Sequence, residues 1–219
     1  MLEFVPVKDL LDCYNFVKQM LAIKDAQVTN TWEGVLVDLI AVMPTEVITP
    51  EVLKFCVSKG NLSESEKSRT LSCRLYGSLA KRLDAYVVFI VFHSNSFCRN
   101  TIEQEFLSKA LSLCQDTAFT VRNCMAQQLG VIAFAIGAEK SKKSLIKELI
   151  QLVNDETKEV KCVAFETLVS VMDLFDSTFR KQELLPVFVD LMKKPPIALM
   201  RPLIQFFGEY FWKLSSMYS

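Results

Sequence analysis

Apolar residues recur every three or four positions along most of the chain, and polar residues fill the positions between them. In one stretch they fall at Leu145, Leu149 and Leu152, a spacing that puts all three on one face of an α-helix. The same pattern along the chain predicts about five helix pairs joined by short turns. Their bounds are Val7–Ile23 with Thr31–Val42, Pro50–Lys59 with Glu64–Val91, Thr101–Cys114 with Phe119–Ile136, Lys142–Val153 with Glu159–Leu174, and Phe179–Met192 with Ile197–Leu214.

The helical pattern itself repeats with a period of 39 residues. When Phe106–Leu129 is superimposed on Leu145–Leu168, apolar residues align with apolar residues and Asp116 aligns with Asp155. The same frame continues through Leu185–Arg201, which gives three consecutive units. A period of this length, built from two helices, is typical of repeat proteins in which each unit packs on its neighbours.

An insertion lengthens the spacing upstream. Arg69–Gly77 aligns with Arg122–Gly130 at an offset of 53 residues, which exceeds the period by 14. We place the extra residues around Tyr86–Arg99, as either a lengthened second helix or a loop between repeats, because a lone strand is marginal without a sheet. No linker or charge block divides the chain. The sequence therefore predicts one continuous array over 1–219, with approximate units 7–42, 50–91, 101–136, 142–174 and 179–214.

Three units carry a short polar signature, which in the last of them lacks its aspartate and is reduced to Met200-Arg201. Asp116 precedes Val121-Arg122, and Asp155 precedes Val160-Lys161. A two-helix repeat with Asp after the first helix and Val-Arg or Val-Lys near the start of the second resembles HEAT and armadillo-type units. The aspartate is expected to cap the second helix or to pair with a basic residue of an adjacent turn, forming a ladder. The fold class expected is all-α, a HEAT/armadillo-type α-solenoid of antiparallel helix pairs.

Three segments resemble a narrower group of HEAT proteins, the scaffold and regulatory subunits of the protein phosphatase 2A family. These segments are Thr70–Gly77, Asp116–Ile132 and Glu183–Leu191. The resemblance implies a curved array whose intra-repeat turns hold a metallophosphatase catalytic subunit or its substrates, without phosphatase residues of its own. The chain departs from that family in being far shorter than the usual arrays and in carrying the insertion.

Charge and cysteine usage narrow the choice of partners and compartment. Twenty-five basic and twenty-five acidic residues cancel, so the chain lacks the basic excess that nucleic-acid binding requires. Seven cysteines, an odd number without a CxxC motif, indicate a reducing compartment. No secretory leader or uninterrupted apolar run of about 18 residues is present. We expect no nucleic-acid or membrane partner and a cytoplasmic protein that also reaches the nucleus.

The sequence offers no catalytic constellation. His93 is the single histidine, which excludes a metal site of two or three histidines and leaves the dispersed thiols with one histidine at most. The motifs HExxH, GxGxxG, GxxxxGK[ST] and GxSxG are missing. The chain is therefore predicted to be a non-catalytic, protein-binding scaffold that needs no cofactor or metal, and the resemblance makes it a regulatory subunit of a 2A/4-class serine/threonine phosphatase.

The candidate contact residues lie in the turns, where helix packing does not require their side chains. Trp32, predicted to begin a second helix, suggests the alternative of a tubulin-binding HEAT domain of a microtubule-associated protein. Its structural interpretation is a half-buried staple that closes the first unit. The predicted protein-binding residues are Gln115, Asp116, Thr117, Asn154, Glu156, Thr157, Lys193, Lys194 and Trp32.

The last predicted helix is apolar on nearly every side. Phe206, Phe207, Tyr210, Phe211 and Trp212 follow one another with few polar residues between them. Such a helix cannot face water without a large unfavourable exposure of apolar area. It is expected to be covered, either by further repeats or through self-association of the chain.

Overall fold

The computed structural model describes residues 6–23, 25–43, 48–82, 106–193, 195–201, 204–205 and 208–209. Within these ranges all regular structure is helical and no strand occurs, which confirms the all-α prediction. The insertion at Tyr86–Arg99 lies outside the described residues, and so do the aromatic residues of the last predicted helix, Phe206, Phe207, Tyr210, Phe211 and Trp212.

The chain divides into two compact units, Met1–Lys109 and Ala110–Ser219. In the first unit α1 packs against α2, α3 packs against α4, and the two second helices, α2 and α4, also pack together. A single wider, π-helical turn precedes α3 at Ile48–Leu53. The helices are α1 at Val7–Met20, α2 at Ala26–Val42, α3 at Lys54–Lys59 and α4 at Glu66–Ala80.

A helix over residues 106–114, α5, spans the boundary of the two units, and the described part of the second unit continues with four helices of eight or more residues and several shorter helical segments. There, α8 packs against both α6 and α7. The starts of α6 and α8, at residues 119 and 158, are offset by 39 residues, which confirms the period in this part of the chain. The helices are α6 at Phe119–Ile136, α7 at Ile146–Val153, α8 at Lys158–Ser170 and α9 at Leu185–Lys193.

The apolar stripe predicted from the sequence forms the core of the second unit. Leu145, Leu149, Val153, Val160 and Ala164 are all fully buried. Burial of a leucine or valine side chain stabilises a fold by roughly 1.5–3 kcal/mol, so the contact of α8 with its two neighbours is the main source of stability for this hairpin. That residues 1–219 form one continuous array stays a prediction.

The ends of the helices depend on local backbone geometry and hydrogen bonds as well as on the apolar periodicity. The chain turns between α6 and the next helical segment at Gly137, whose φ of 81° lies in the left-handed region that favours glycine. From there helix runs through Ala138–Lys140 and a π-helical turn, Ser141–Leu145, into α7. The bounds predicted for α6 are those observed.

Among the described residues, the predicted end of α4 and the predicted start of α2 are wrong by five residues or more. The helix expected over Glu64–Val91 is α4, which ends at Ala80 and is followed by a turn at residues 81–82. The start of α2 was expected at Thr31, but the helix begins at Ala26. The cause is Asp25, whose Oδ1 accepts hydrogen bonds from the amides of Gln27 at 2.9 Å and Val28 at 3.0 Å. Such a cap satisfies amides of the first turn that have no partner within the helix, and so starts the helix before its apolar stripe does.

Two features bear on membranes and metals. Across the described ranges, no helix combines the length and apolar character that spanning a bilayer demands. The same residues contain no group of three or more His, Cys, Asp or Glu side chains arranged to hold a metal ion.

Candidate protein-binding edge

Two turns of the second unit, those before α6 and α8, are each closed by an aspartate. The Asp116 Oδ1 atom accepts a hydrogen bond from the Ala118 amide at 2.9 Å, and the Asp155 Oδ1 atom accepts one from the Thr157 amide at 2.8 Å. A side-chain oxygen bonded to the amide two residues ahead fixes the turn that enters the following helix. The aspartates thus close the turns before α6 and α8, but they do not cap these helices as expected, because the amide that each one bonds belongs to the residue before the helix.

Arg122 connects one turn to the next. Its Nε and Nη2 atoms donate to the two carboxylate oxygens of Asp155 at 2.7 and 3.0 Å, and its Nη1 atom donates to the Asp116 carbonyl oxygen at 2.8 Å. The side chains of Arg122 and Asp155 are only 10% and 8% exposed. A bidentate, charge-assisted pair of this kind is stronger and more directional than a neutral hydrogen bond. The predicted pairing between adjacent turns is thus observed between Arg122 and Asp155.

The protonation of Asp155 reflects this pairing. Burial by itself raises the pKa of the carboxyl group, but hydrogen bonds from Arg122 and from the Thr157 amide outweigh burial, so the pKa lies below its usual value. The Asp155 carboxylate conversely raises the pKa of Arg122. Both side chains are therefore charged at neutral pH.

The lowered pKa predicts a loss of stability in acid. Because the native pKa of Asp155 lies below the unfolded value of about 3.9, its contribution is complete above that pH and is lost as the pH falls through the native pKa. The urea midpoint should therefore fall below about pH 4. The Asp155→Asn variant should have a lower urea midpoint than the wild type at neutral pH. Its midpoint should then fall less than that of the wild type on acidification. An equal acid-dependent fall in the variant would contradict this assignment.

Polar groups remain exposed around this network. Gln115 donates from Nε2 to Glu148 Oε2 at 2.9 Å, and Asn154 donates from Nδ2 to the Ile150 carbonyl oxygen at 3.0 Å. The Glu156 side chain is 88% exposed and lies 3.6 Å from Arg122 Nη2. Thr117 is also exposed. We call Gln115, Thr117, Asn154 and Glu156 the turn edge, because they present amide, hydroxyl and carboxylate groups that a partner could contact.

The other predicted turn residues have different environments. Asp116 is only 3% exposed and is committed to its own turn. Thr157 is half-buried, and its hydroxyl oxygen accepts a hydrogen bond from Arg122 Nη2 at 3.3 Å. Lys193 is exposed, with its Nζ atom 3.1 Å from Asp190 Oδ1. Lys194 lies outside the described residues.

Trp32 belongs to the first unit and lies inside a helix. It is half-buried on α2, and its ring packs edge-on against Phe16 of α1 with centroids 5.4 Å apart. Because α2 starts at Ala26, Trp32 is the seventh residue of the helix rather than its first. This position matches the interpretation of Trp32 as a staple between α1 and α2.

The sequence did not reveal that the first unit buries a carboxylate, Glu33, whose partner Arg74 stays 49% exposed. The Glu33 side chain, on α2, is 4% exposed, and its Oε2 atom accepts a hydrogen bond from Arg74 Nη1 of α4 at 2.7 Å. A charged residue on a helix is usually exposed, so the sequence alone gives no sign that Glu33 is buried.

These features define an α-helical repeat protein of the armadillo/HEAT type. A designed armadillo repeat protein in complex with the peptide (KR)4 superimposes with a TM-score of 0.57 at 16% identity, covering 96% of this chain and 85% of that one. A second design, YIII(Dq)4CqI, superimposes with a TM-score of 0.54 at 16% identity over the same shares. At this identity the likeness establishes the fold alone.

Proteins related in sequence identify the chain more narrowly than the structural comparisons do. The human protein named serine/threonine-protein phosphatase 4 regulatory subunit 4 is 39% identical over 171 residues, which is 78% of this chain, and the mouse protein of that name is 37% identical over the same length. The chain spans 18% of the length of these relatives. No family model matches the sequence. The resemblance to phosphatase regulatory subunits is confirmed, and it is to regulatory subunit 4 of protein phosphatase 4.

Proposed function

We propose that this chain is a non-catalytic scaffold that binds a catalytic subunit of the 2A/4 class of serine/threonine phosphatases and acts as part of a regulatory subunit. The observation that carries the proposal is the 39% identity to a protein named as a phosphatase 4 regulatory subunit. The turn edge supports it, because exposed polar groups on a repeat scaffold are suited to protein contacts.

The mechanism proposed is positional. Arg122 holds two consecutive turns together through Asp155 and the carbonyl oxygens of Asp116 and Thr117. Turn residues next to such a network are already ordered before a partner binds. The loss of conformational entropy on binding is therefore smaller, and binding is more favourable. The turn edge would orient the catalytic subunit and its substrates, and it would take no part in the chemistry.

The turn edge can be tested separately from the fold. Asn154→Ala combined with Glu156→Ala should leave the melting temperature nearly unchanged, because both side chains are exposed. The same pair should weaken binding of a phosphatase 4 catalytic subunit about tenfold, equivalent to about 1.4 kcal/mol. Binding would be measured by pull-down of the purified catalytic subunit at a series of concentrations.

A matched control is Glu139→Ala, which removes an exposed carboxylate beside Lys142 in the same unit but outside the turns. It should bind as the wild type does. Unchanged binding of the double variant would remove these two residues from the site. Co-sedimentation of the chain with tubulin, lost on substitution of Trp32, would instead support the cytoskeletal alternative.

A further inference from the structure

A pocket of about 360 Å³ opens in the first unit between the turn after α1 and the start of α4. Its apolar wall is formed by Leu21, Ile23 and Leu71, and its polar wall includes Thr29, Glu33 and Ser65. Pockets that take a small ligand or a single side chain combine an apolar surface with a few fixed polar groups in this way, at volumes of roughly 300–1,000 Å³.

The second helices of the helix pairs, α2, α4, α6 and α8, can be compared at their fourth residue, which lies beside the turn that precedes each helix. The fourth residue is Arg69 in α4, Arg122 in α6 and Lys161 in α8, but it is Thr29 in α2. Thr29 still makes one of the contacts that the arginine makes at this position. Its Oγ1 atom lies 3.0 Å from the carbonyl oxygen of Ile23, six residues before it, and 2.6 Å from the carbonyl oxygen of Asp25, with one hydroxyl hydrogen to share between them.

Arg122 also contacts the carbonyl oxygen six residues before it, and its longer side chain reaches the following turn as well. Its Nη1 atom donates to the carbonyl oxygen six residues before it, while the rest of the guanidinium group reaches Asp155 and the Thr157 hydroxyl of the following turn. Thr29 is too short for this second contact. In the first unit, the residue that corresponds to Thr157, immediately before the second helix, is Ser65, and it lines the pocket.

The pocket also has a carboxylate of its own. Glu33 is 3% exposed and receives a hydrogen bond from Arg74 Nη1 through its Oε2 atom. A carboxylate group has about four acceptor positions, so this contact leaves room for further donors. Glu33 therefore offers, from within α2, acceptor positions beside its ion pair with Arg74, whose side chain is 49% exposed.

We propose that this pocket binds an arginine side chain of a partner protein, in the place where Arg122 connects consecutive turns of the second unit. The aliphatic part of the arginine would lie against Leu21, Ile23 and Leu71. Its planar guanidinium group, with five donors, would meet the carboxylate of Glu33 and the second lone pair of the Ser65 hydroxyl oxygen, which also accepts a hydrogen bond from the Ser68 amide at 3.1 Å. The inference goes beyond the proposed function, because it requires only a partner with an exposed arginine.

The remaining charged groups around the pocket provide a discriminating test. Lys59 is bound to the Glu64 carboxylate at 3.2 Å and lies 5.8 Å from the centre of the Phe55 ring. Asp25 lines the pocket while capping α2, and Lys67 is exposed at its edge. Removing the Lys67 charge should strengthen binding of a cation and weaken binding of an anion.

The test is a titration of the 219-residue chain, followed by backbone amide NMR, with a blocked Gly-Arg-Gly peptide. Saturable shifts are expected at Thr29, Ser65 and Ser68, and the matched Gly-Glu-Gly peptide and inorganic phosphate should leave these amides unshifted. In Lys67→Ala the arginine peptide should bind more tightly. If the arginine peptide causes no saturable shift, or if phosphate binds and Lys67→Ala weakens it, the proposal is overturned.

Two variants confirm the location. Thr29→Arg should fill the pocket from within and abolish peptide binding, whereas Thr31→Arg, two residues away at an exposed site on the same helix, should bind as the wild type does. Glu33→Gln removes the charge while keeping the shape, and should weaken binding about tenfold through loss of a charge-assisted contact. Wild-type affinity in both Thr29→Arg and Glu33→Gln would place the peptide elsewhere and refute the proposal.

Discussion

Replacing Leu168 by Asp should unfold the second unit. Leu168 is 3% exposed on α8, the helix that packs against both α6 and α7. The substitution removes a buried leucine and buries an unpaired carboxyl group, for a combined loss of more than about 4 kcal/mol. That is a large part of the stability of an ordinary domain. Circular dichroism against temperature should show loss of the cooperative transition or a large drop in its midpoint.

A nearby position on the same helix supplies the control. Val163 is half-buried, and a carboxylate there can reach water, so Val163→Asp should cost about 1–2 kcal/mol. The apolar pattern of the sequence treats the two positions alike, whereas the structure separates them. Equal destabilisation by the two substitutions would mean that α8 is rotated from the orientation described.

Replacing Arg122 by Met should cost about 3 kcal/mol, because it leaves the carboxylate of Asp155 buried without its partner. The carbonyl oxygens of Asp116 and Thr117 lose a donor as well. Adding Asp155→Leu should restore most of the stability, since an apolar pair does not carry the cost of an unpaired charge. Urea unfolding of the two single variants and the double variant measures the coupling.

An exposed ion pair in the same unit gives the comparison. Lys142 pairs with Asp176, whose side chain is 54% exposed, and water solvates either charge if the other is removed. Lys142→Met should therefore leave the unfolding midpoint close to that of the wild type. If Arg122→Met behaves like Lys142→Met, the connection between the turns contributes little to stability.

The periodicity of the sequence predicted the second unit well because its repeats obey one rule. Apolar residues at helical spacing must face a neighbouring helix, and Asp116 and Asp155 recur where each turn must be closed. The start of α2 escaped prediction since it depends on Asp25, a capping residue that contributes nothing to the apolar pattern. Local hydrogen bonding, not hydrophobicity, determines that boundary.

The candidate site was predictable only in part. Short turns between packed helices leave polar side chains exposed, which identified Gln115, Asn154 and Glu156. The burial of Arg122 could not be deduced, because it depends on a carboxylate 33 residues away and charged side chains are seldom buried. The pocket beside Thr29 arises from a side chain that is shorter than its counterparts, and its volume exists only once the helices are packed.

The most direct measurement is calorimetric titration of the 219-residue chain with purified protein phosphatase 4 catalytic subunit. A regulatory scaffold predicts saturable binding at a defined stoichiometry, weakened by the Asn154→Ala and Glu156→Ala pair and preserved in Glu139→Ala. Absence of saturable binding by a chain that circular dichroism shows to be folded and helical would contradict the proposed function.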